Sequence, residues 1–462
     1  MIYDPKITAF YFIISKPTNR LHLLEKMLQA EVIYYSVYKT IVAGEDRMKI
    51  PLFNLTRQYE KIRPEVLESI DEVLKSGRVI LGPYVEKLES EISKYLGIEY
   101  ALGVSSGTDA LVIAVKALGI GPGDLVITTP YTFFATASCV VRNGATPIFL
   151  DVDEKSYNLD LDEVELLLAG VYRGSFKGCE VGNPKDLNRK IETVKKVMKI
   201  YGLSTRSRIK AMIPVHLFGR TMPLGRLRKI KDEYRIKIIE DCAQSIGSQW
   251  FMDGKVVHSG SIGDISILSF FPTKNLGAYG DGGMIMTGDA ELYQRCKKLR
   301  VHGAKKKYFY DEIGYNARLD EIQAAILGVK FRHLDEWTYQ RKKIADLYEK
   351  LLGVLPGIKR LPNVEWRNNV KYHVYHQYVV EFETSEIREK VMKIFQEKGI
   401  GFSIYYPLPL HLQRCFEYLG YKKGDLPVSE RLSETTLALP IFPEMRDEEV
   451  MEVANTIGEV VR

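Results

Sequence analysis

Seven short runs rich in Val, Ile and Phe limit what this chain can fold into; they lie at 100–104, 125–129, 147–151, 211–216, 237–241, 265–270 and 283–288. Most are separated by segments whose apolar residues recur at helical spacing. Strands of this kind are buried on both faces of a mostly parallel sheet, so the fold class expected is α/β. Two of the runs end beside groups able to do chemistry. Lys237–Asp241 leaves a carboxylate at the carboxyl edge of the sheet, and Asp264–Ser269 leads into a loop that carries Lys274. That edge is where open α/β sheets bind ligands. A third run, Tyr100–Val104, leads through Ser105-Ser106-Gly107-Thr108-Asp109 into the helical Ala110–Val115. A glycine-containing turn that opens a helix offers free N–H groups and a positive dipole end to a phosphate. The same pattern also suits an ordinary helix start capped by Ser or Thr.

An amine, a carboxylate and a phosphate cradle on three neighbouring loops are what pyridoxal phosphate requires. The amine holds the carbonyl cofactor as a Schiff base, and the carboxylate keeps its pyridine nitrogen protonated so that the ring can absorb a carbanion's charge. Taken alone, Lys274 could be a solvated surface lysine and Asp241 a strand-end aspartate. Their convergence with the Ser106-Gly107-Thr108 turn favours the cofactor. By contrast, Gly119-Ile-Gly-Pro-Gly123 precedes a strand and lacks the third glycine spacing, so it is not read as a dinucleotide loop.

An ordered set of motifs carries a family resemblance. It runs through Ile50–Tyr59, Ser76–Gly82, Ser106–Ala110, Pro130–Thr136, Pro214–Gly219, Lys274–Gly277, Gly314–Ala325 and Tyr406–His411. The chain resembles the DegT/StrS family of nucleotide-sugar aminotransferases, which are pyridoxal phosphate enzymes. The resemblance implies the aspartate aminotransferase type of fold (fold type I), with a smaller carboxyl-terminal α+β domain. It implies Lys274 as the Schiff-base lysine and Asp241 as the partner of the pyridine nitrogen. Gln244 would lie on the phenolic oxygen side of the ring, Phe133 over its face, and Gly107, Thr108 and Ser269 around the phosphate. The family is dimeric with shared active sites, and Asn316 would meet the cofactor phosphate of the neighbouring chain.

The substrate contacts implied are His216, His302, Arg318 and His411. A histidine that ends an apolar strand, as His216 does, is often a hydrogen-bonded structural residue instead. Arg318 suits a sugar carboxylate through its planar fork, or an ion pair with Asp320 or Glu321 at a helix start. The 300–320 region is most similar to members that aminate carbon 3 of a UDP-linked keto sugar, the 3-oxo-glucuronate type included. Members acting at carbon 4 are the alternative. A non-catalytic sensor on this fold would be expected to lose Lys274.

Composition sets outer limits. The 462 residues are 45% hydrophobic, enough for a large and a small domain. The net charge of +6 includes no isolated basic run, so nucleic acid is not an expected partner. Five cysteines without Cys-x-x-Cys spacing argue against a disulfide framework or a metal site and fit a cytoplasmic protein. No apolar stretch reaches the roughly 20 residues that span a bilayer. The domains expected are 1–47 as an extension of unknown role, 48–335 as the cofactor-binding domain, and 336–462 as the small domain. A long helical passage is read over 319–352, strands at 377–382 and 401–406, and a helix at 385–398 between them. The region 170–208, with its basic helix-like 186–199, is read as a surface insertion with a solvated charged face.

Overall fold

The computed structural model describes residues 49–177, 179 and 186–461. From Lys49 onward the chain is one compact unit; the extension 1–47 lies outside the described residues. A seven-stranded sheet is built from β1 (Tyr100–Val104), β2 (Leu125–Thr128), β3 (Thr146–Phe149), β4 (Ile209–Met212), β5 (Lys237–Asp241), β6 (Ile265–Ser269) and β7 (Gly283–Thr287). Its order is β1-β7-β6-β5-β4-β2-β3. β7 runs antiparallel to both of its neighbours. The remaining pairs are parallel.

The expected double-sided burial follows from strand geometry, because successive side chains point to opposite faces. Ile127, Met212 and Ile238 enter one apolar cluster, while their chain neighbours Val126, Ala211 and Ile239 enter another. Helices cover each face, and the carboxyl ends of β2, β4, β5 and β6 point to one edge.

Side chains occupy the outer margins of the sheet. On β1, the N–H of Gly103 donates to Glu89 at 2.7 Å, and its carbonyl accepts from Arg300 at 2.9 Å; Glu89 and Arg300 are themselves paired at 2.8 Å. On β3, Tyr201 donates to the carbonyl of Pro147 at 2.7 Å. The Tyr421 hydroxyl there donates to the carbonyl of Phe149 and accepts from its N–H.

Beyond the large sheet, a three-stranded antiparallel sheet joins Ile358–Arg360, Tyr378–Phe382 and Thr436–Leu439. The helix Ser385–Lys398 starts at its Thr384 cap and stops at Gly399 in the left-handed region, as the sequence predicts. Three readings are corrected. Residues 401–406 form no strand and contribute only the single pair Ser403–Ala438; the third strand is 436–439. The helical passage is two helices, Glu321–Phe331 and Leu334–Leu352, parted at Arg332-His333 where neither Gly nor Pro marks a break.

The inserted helix Leu187–Ile200 is also more than a solvated appendage. Val194 and Val197 lie in the main apolar cluster, and Lys190 is buried between Asp160 and Asp162 at 2.7 and 2.6 Å.

Candidate active site

Asp241 ends β5 at the ligand-binding edge of the sheet and is buried. Its carboxylate accepts from the Thr136 hydroxyl at 2.9 Å and from the Ala243 N–H at 3.1 Å. Burial pushes its carboxyl above the usual range, against those two bonds and the nearby Lys274. A cation arriving beside it would relieve that penalty.

Lys274 projects from the loop after β6, where its own N–H bonds the Phe271 carbonyl at 2.8 Å. Its amine makes no hydrogen bond or ion pair among the described residues. Burial lowers it from 10.5 to about 8, with Asp241 partly opposing the shift. An amine in that state is a usable nucleophile and proton carrier near neutral pH.

The third loop meets the first two through glycine. A Cβ on Gly107 would come within 2.7 Å of the Ser269 Cβ, so only glycine lets the start of the helix Gly107–Ala117 approach the end of β6 this closely. Ser106 caps that helix, accepting from the Asp109 N–H at 3.0 Å. Ordinary capping and a free helix N-terminus beside the Ser269 side chain therefore coexist. Phe133 is 57% exposed.

Gln244 is engaged at both ends of its amide: it accepts from the Phe218 N–H at 2.5 Å and donates to the Tyr406 hydroxyl at 3.2 Å. Asn316 and Arg318 line a pocket of about 530 Å3 with Ser105, Ser106 and Gln323. The ion pair of Arg318 with Asp320 or Glu321 does not form among the described residues. Glu321 is buried instead and accepts from the N–H groups of Gly82 and Tyr84 at 2.8 and 2.5 Å, at the start of the helix Pro83–Leu96.

Two of the expected substrate contacts are buried and engaged within the fold. His216 is wholly buried; its Nδ1 accepts from the Met222 N–H at 3.0 Å and its Nε2 faces Glu240 at 2.9 Å. No ring nitrogen is left for a sugar. His411 is 1% exposed, with Nε2 turned to Glu430 at 3.1 Å. His302 is exposed in a left-handed backbone conformation at the foot of the hairpin formed by 304–306 and 309–310.

Glu240 points to the face opposite Asp241 and gathers N–H groups from Gly260, Ile262 and Gly263 as well as His216. Burial would raise it, but these bonds hold it below the ordinary carboxylate value. Cys242 lies within 4.8 Å of both His216 and Glu240. Burial pushes its thiol well up, while His216 and Glu240 are already engaged with backbone N–H groups and with each other.

Sequence reasoning missed Thr136 and Tyr406 as site residues. Both sit inside motifs that carried the resemblance, Pro130–Thr136 and Tyr406–His411, but nothing in a lone threonine or tyrosine says which partner it will meet across about a hundred residues of chain or more.

Comparisons with known proteins agree with this geometry. The model of the DegT/DnrJ/EryC1/StrS aminotransferase family matches residues 60–189 and 182–458. The chain belongs to this aminotransferase family. The aminotransferase is 42% identical over 417 residues to a pleiotropic regulatory protein of Geobacillus stearothermophilus, covering 90% of this chain and 99% of that one. It is 37% identical over 409 residues to a UDP-N-acetyl-3-dehydro-alpha-D-glucosamine 3-aminotransferase of Acidithiobacillus ferrooxidans, covering 88% and 97%. Among solved structures, S. venezuelae DesV in complex with a ketimine intermediate superposes with a TM-score of 0.74 at 33% identity, covering 89% of this chain and 98% of DesV.

The aminotransferase therefore has fold type I and depends on pyridoxal phosphate. The residues present suit that cofactor: an unengaged amine, a buried carboxylate short of a cation, and a helix start that glycine keeps open.

Proposed function

We propose that the aminotransferase transfers an amino group from an amino acid, glutamate by preference, to carbon 3 of a UDP-linked keto sugar. The observation that carries the site assignment is the amine of Lys274, unengaged and lowered to about 8 beside Asp241. Pyridoxal phosphate, when bound, supplies an electron sink for the carbanion formed on the amino donor. Lys274 anchors it and then, as a neutral amine, takes and returns a proton at Nζ. Asp241 holds a proton on the ring nitrogen, with Thr136 fixing the carboxylate.

Gly107, Thr108 and Ser269 bind the phosphate, Phe133 covers the ring, and Gln244 stands on its oxygen side. Asn316 completes the phosphate site of a neighbouring copy in a homodimer. Arg318 and His302 face the sugar nucleotide, Arg318 meeting a carboxylate where the sugar is a uronate. Residues 48–335 form the cofactor-binding domain and 336–462 the smaller one. The carbon 3 and UDP assignments are supported by the likeness to the Acidithiobacillus enzyme.

The test is a coupled assay over UDP- and dTDP-linked 3-keto and 4-keto sugars with glutamate as donor. Turnover confined to 4-keto sugars would overturn the carbon 3 assignment, and wild-type rates in Lys274→Ala would overturn the site. Loss of visible-edge absorbance on borohydride reduction, with the mass tag on Lys274, supports the anchor directly.

A further inference from the structure

We propose that the helix Glu321–Phe331 is the template for the Lys274 loop, and that Lys330 and Gln323 on one of its faces are positioning residues for Lys274. These two side chains are two helical turns apart. Gln323 clamps the backbone of one residue on both sides, its amide oxygen accepting from the Tyr279 N–H at 2.9 Å and its amide nitrogen donating to the Tyr279 carbonyl at 3.2 Å. Lys330 is 1% exposed and donates to the carbonyl of Gly277 at 2.6 Å. Its ammonium also stands 4.6 Å from the centroid of the Tyr279 ring.

The loop is built so that these anchors act on Lys274. A Cβ on Gly277 would lie 2.2 Å from the Pro272 carbonyl, so the returning arm is pressed against the outgoing one with no room for a side chain. Lys274 sits between them. Asn275 is held separately, donating to the Val374 carbonyl at 3.0 Å and meeting His376 at 3.3 Å. Among the described residues, Lys330 and Gln323 are the side chains that hydrogen-bond the returning arm of the loop.

Burying an ammonium is costly, and its retention calls for a partner that gains from it. Here the partner is a main-chain carbonyl, and a lysine reaches it where a shorter donor would not. Burial lowers Lys330 to about 8, with Glu444 opposing.

The inference rests on Lys274 as the cofactor lysine, and the experiment separates the two. In the cofactor-loaded enzyme, Lys330→Met and Gln323→Ala are compared with wild type by hydrogen exchange over 271–279 and by steady-state kinetics. The expected result is exchange at least about tenfold faster in that loop, with β2 and β3 unchanged. A fall in kcat of about tenfold or more should accompany it, with KM for donor and sugar within about threefold, because misplaced chemistry costs more than lost binding. Lys330→Arg, which keeps a long donor, should recover most of kcat.

Loop exchange and kcat both within about twofold of wild type in the two variants would overturn the proposal. So would exchange that rises equally throughout the protein, or failure of both variants to fold, since either makes the role global. Faster loop exchange in an enzyme whose Lys274→Ala variant keeps full activity would keep the template and reject Lys274 as the cofactor lysine.

Discussion

At Lys274 two opposing influences meet, and their balance is measurable. Burial lowers the amine and Asp241 raises it, with burial the larger. Only the neutral amine attacks a carbonyl. Capture of pyridoxal phosphate by the cofactor-free protein should therefore climb with pH and level off above about 8, where an ordinary lysine would climb on toward about 10.4. Asp241→Asn removes the carboxylate that favours the protonated form, so the midpoint should move down while turnover falls sharply. Stopped-flow absorbance between pH 6 and 10, a window of about four units chosen around that value, checks both. A midpoint that stays in place in Asp241→Asn would show that the two residues do not act on each other. The site was legible here because chemistry-bearing residues followed strand ends. The engagements of His216 and His411 were not legible, because a sequence shows a ring but not the backbone N–H or carboxylate that it will meet.

At the scale of elements, the insertion shows what a charge pattern hides. The 186–199 stretch is basic, and most of its lysines are solvated, yet Lys190 turns inward between two carboxylates at the start of the helix Leu161–Arg173. Lys190→Ala should destabilise the protein by about 3 kcal/mol, because it leaves the buried Asp160 without its cation, although Asp162 keeps Arg226 at 2.9 Å. Lys195→Ala, which removes an exposed pair with Glu192 at 3.2 Å, should change stability by less than about 0.5 kcal/mol. Chemical denaturation of the two variants decides it, and equal effects would restore the insertion to a solvated appendage. The strands of the large sheet were readable because double-sided burial makes them continuously apolar. The strand at 436–439 and the break at Arg332-His333 were not, since pairing partner and helix direction are set by packing from distant chain.

For the whole molecule, the family match begins at residue 60 and every proposed site residue follows Met48. A chain that starts at Met48 should equal the full chain in melting temperature, dimerisation and aminotransferase activity. Aggregation or loss of cofactor in that shorter chain would make 1–47 part of the core. Mixing inactive Lys274→Ala with inactive Asn316→Ala should restore part of the activity through hybrid dimers, measured after subunit exchange is verified by mass. No recovery would place each site within one chain.

The bonds at Gly103, Pro147 and Phe149 bear on how copies of this chain can meet. An open sheet normally ends in a row of backbone groups that can recruit a strand from another molecule. Here a carboxylate and guanidinium on one side, and two phenols on the other, already hold those groups. Strand addition at either end of the large sheet, the step by which fibrils grow, must therefore first displace these side chains from Gly103, Pro147 and Phe149.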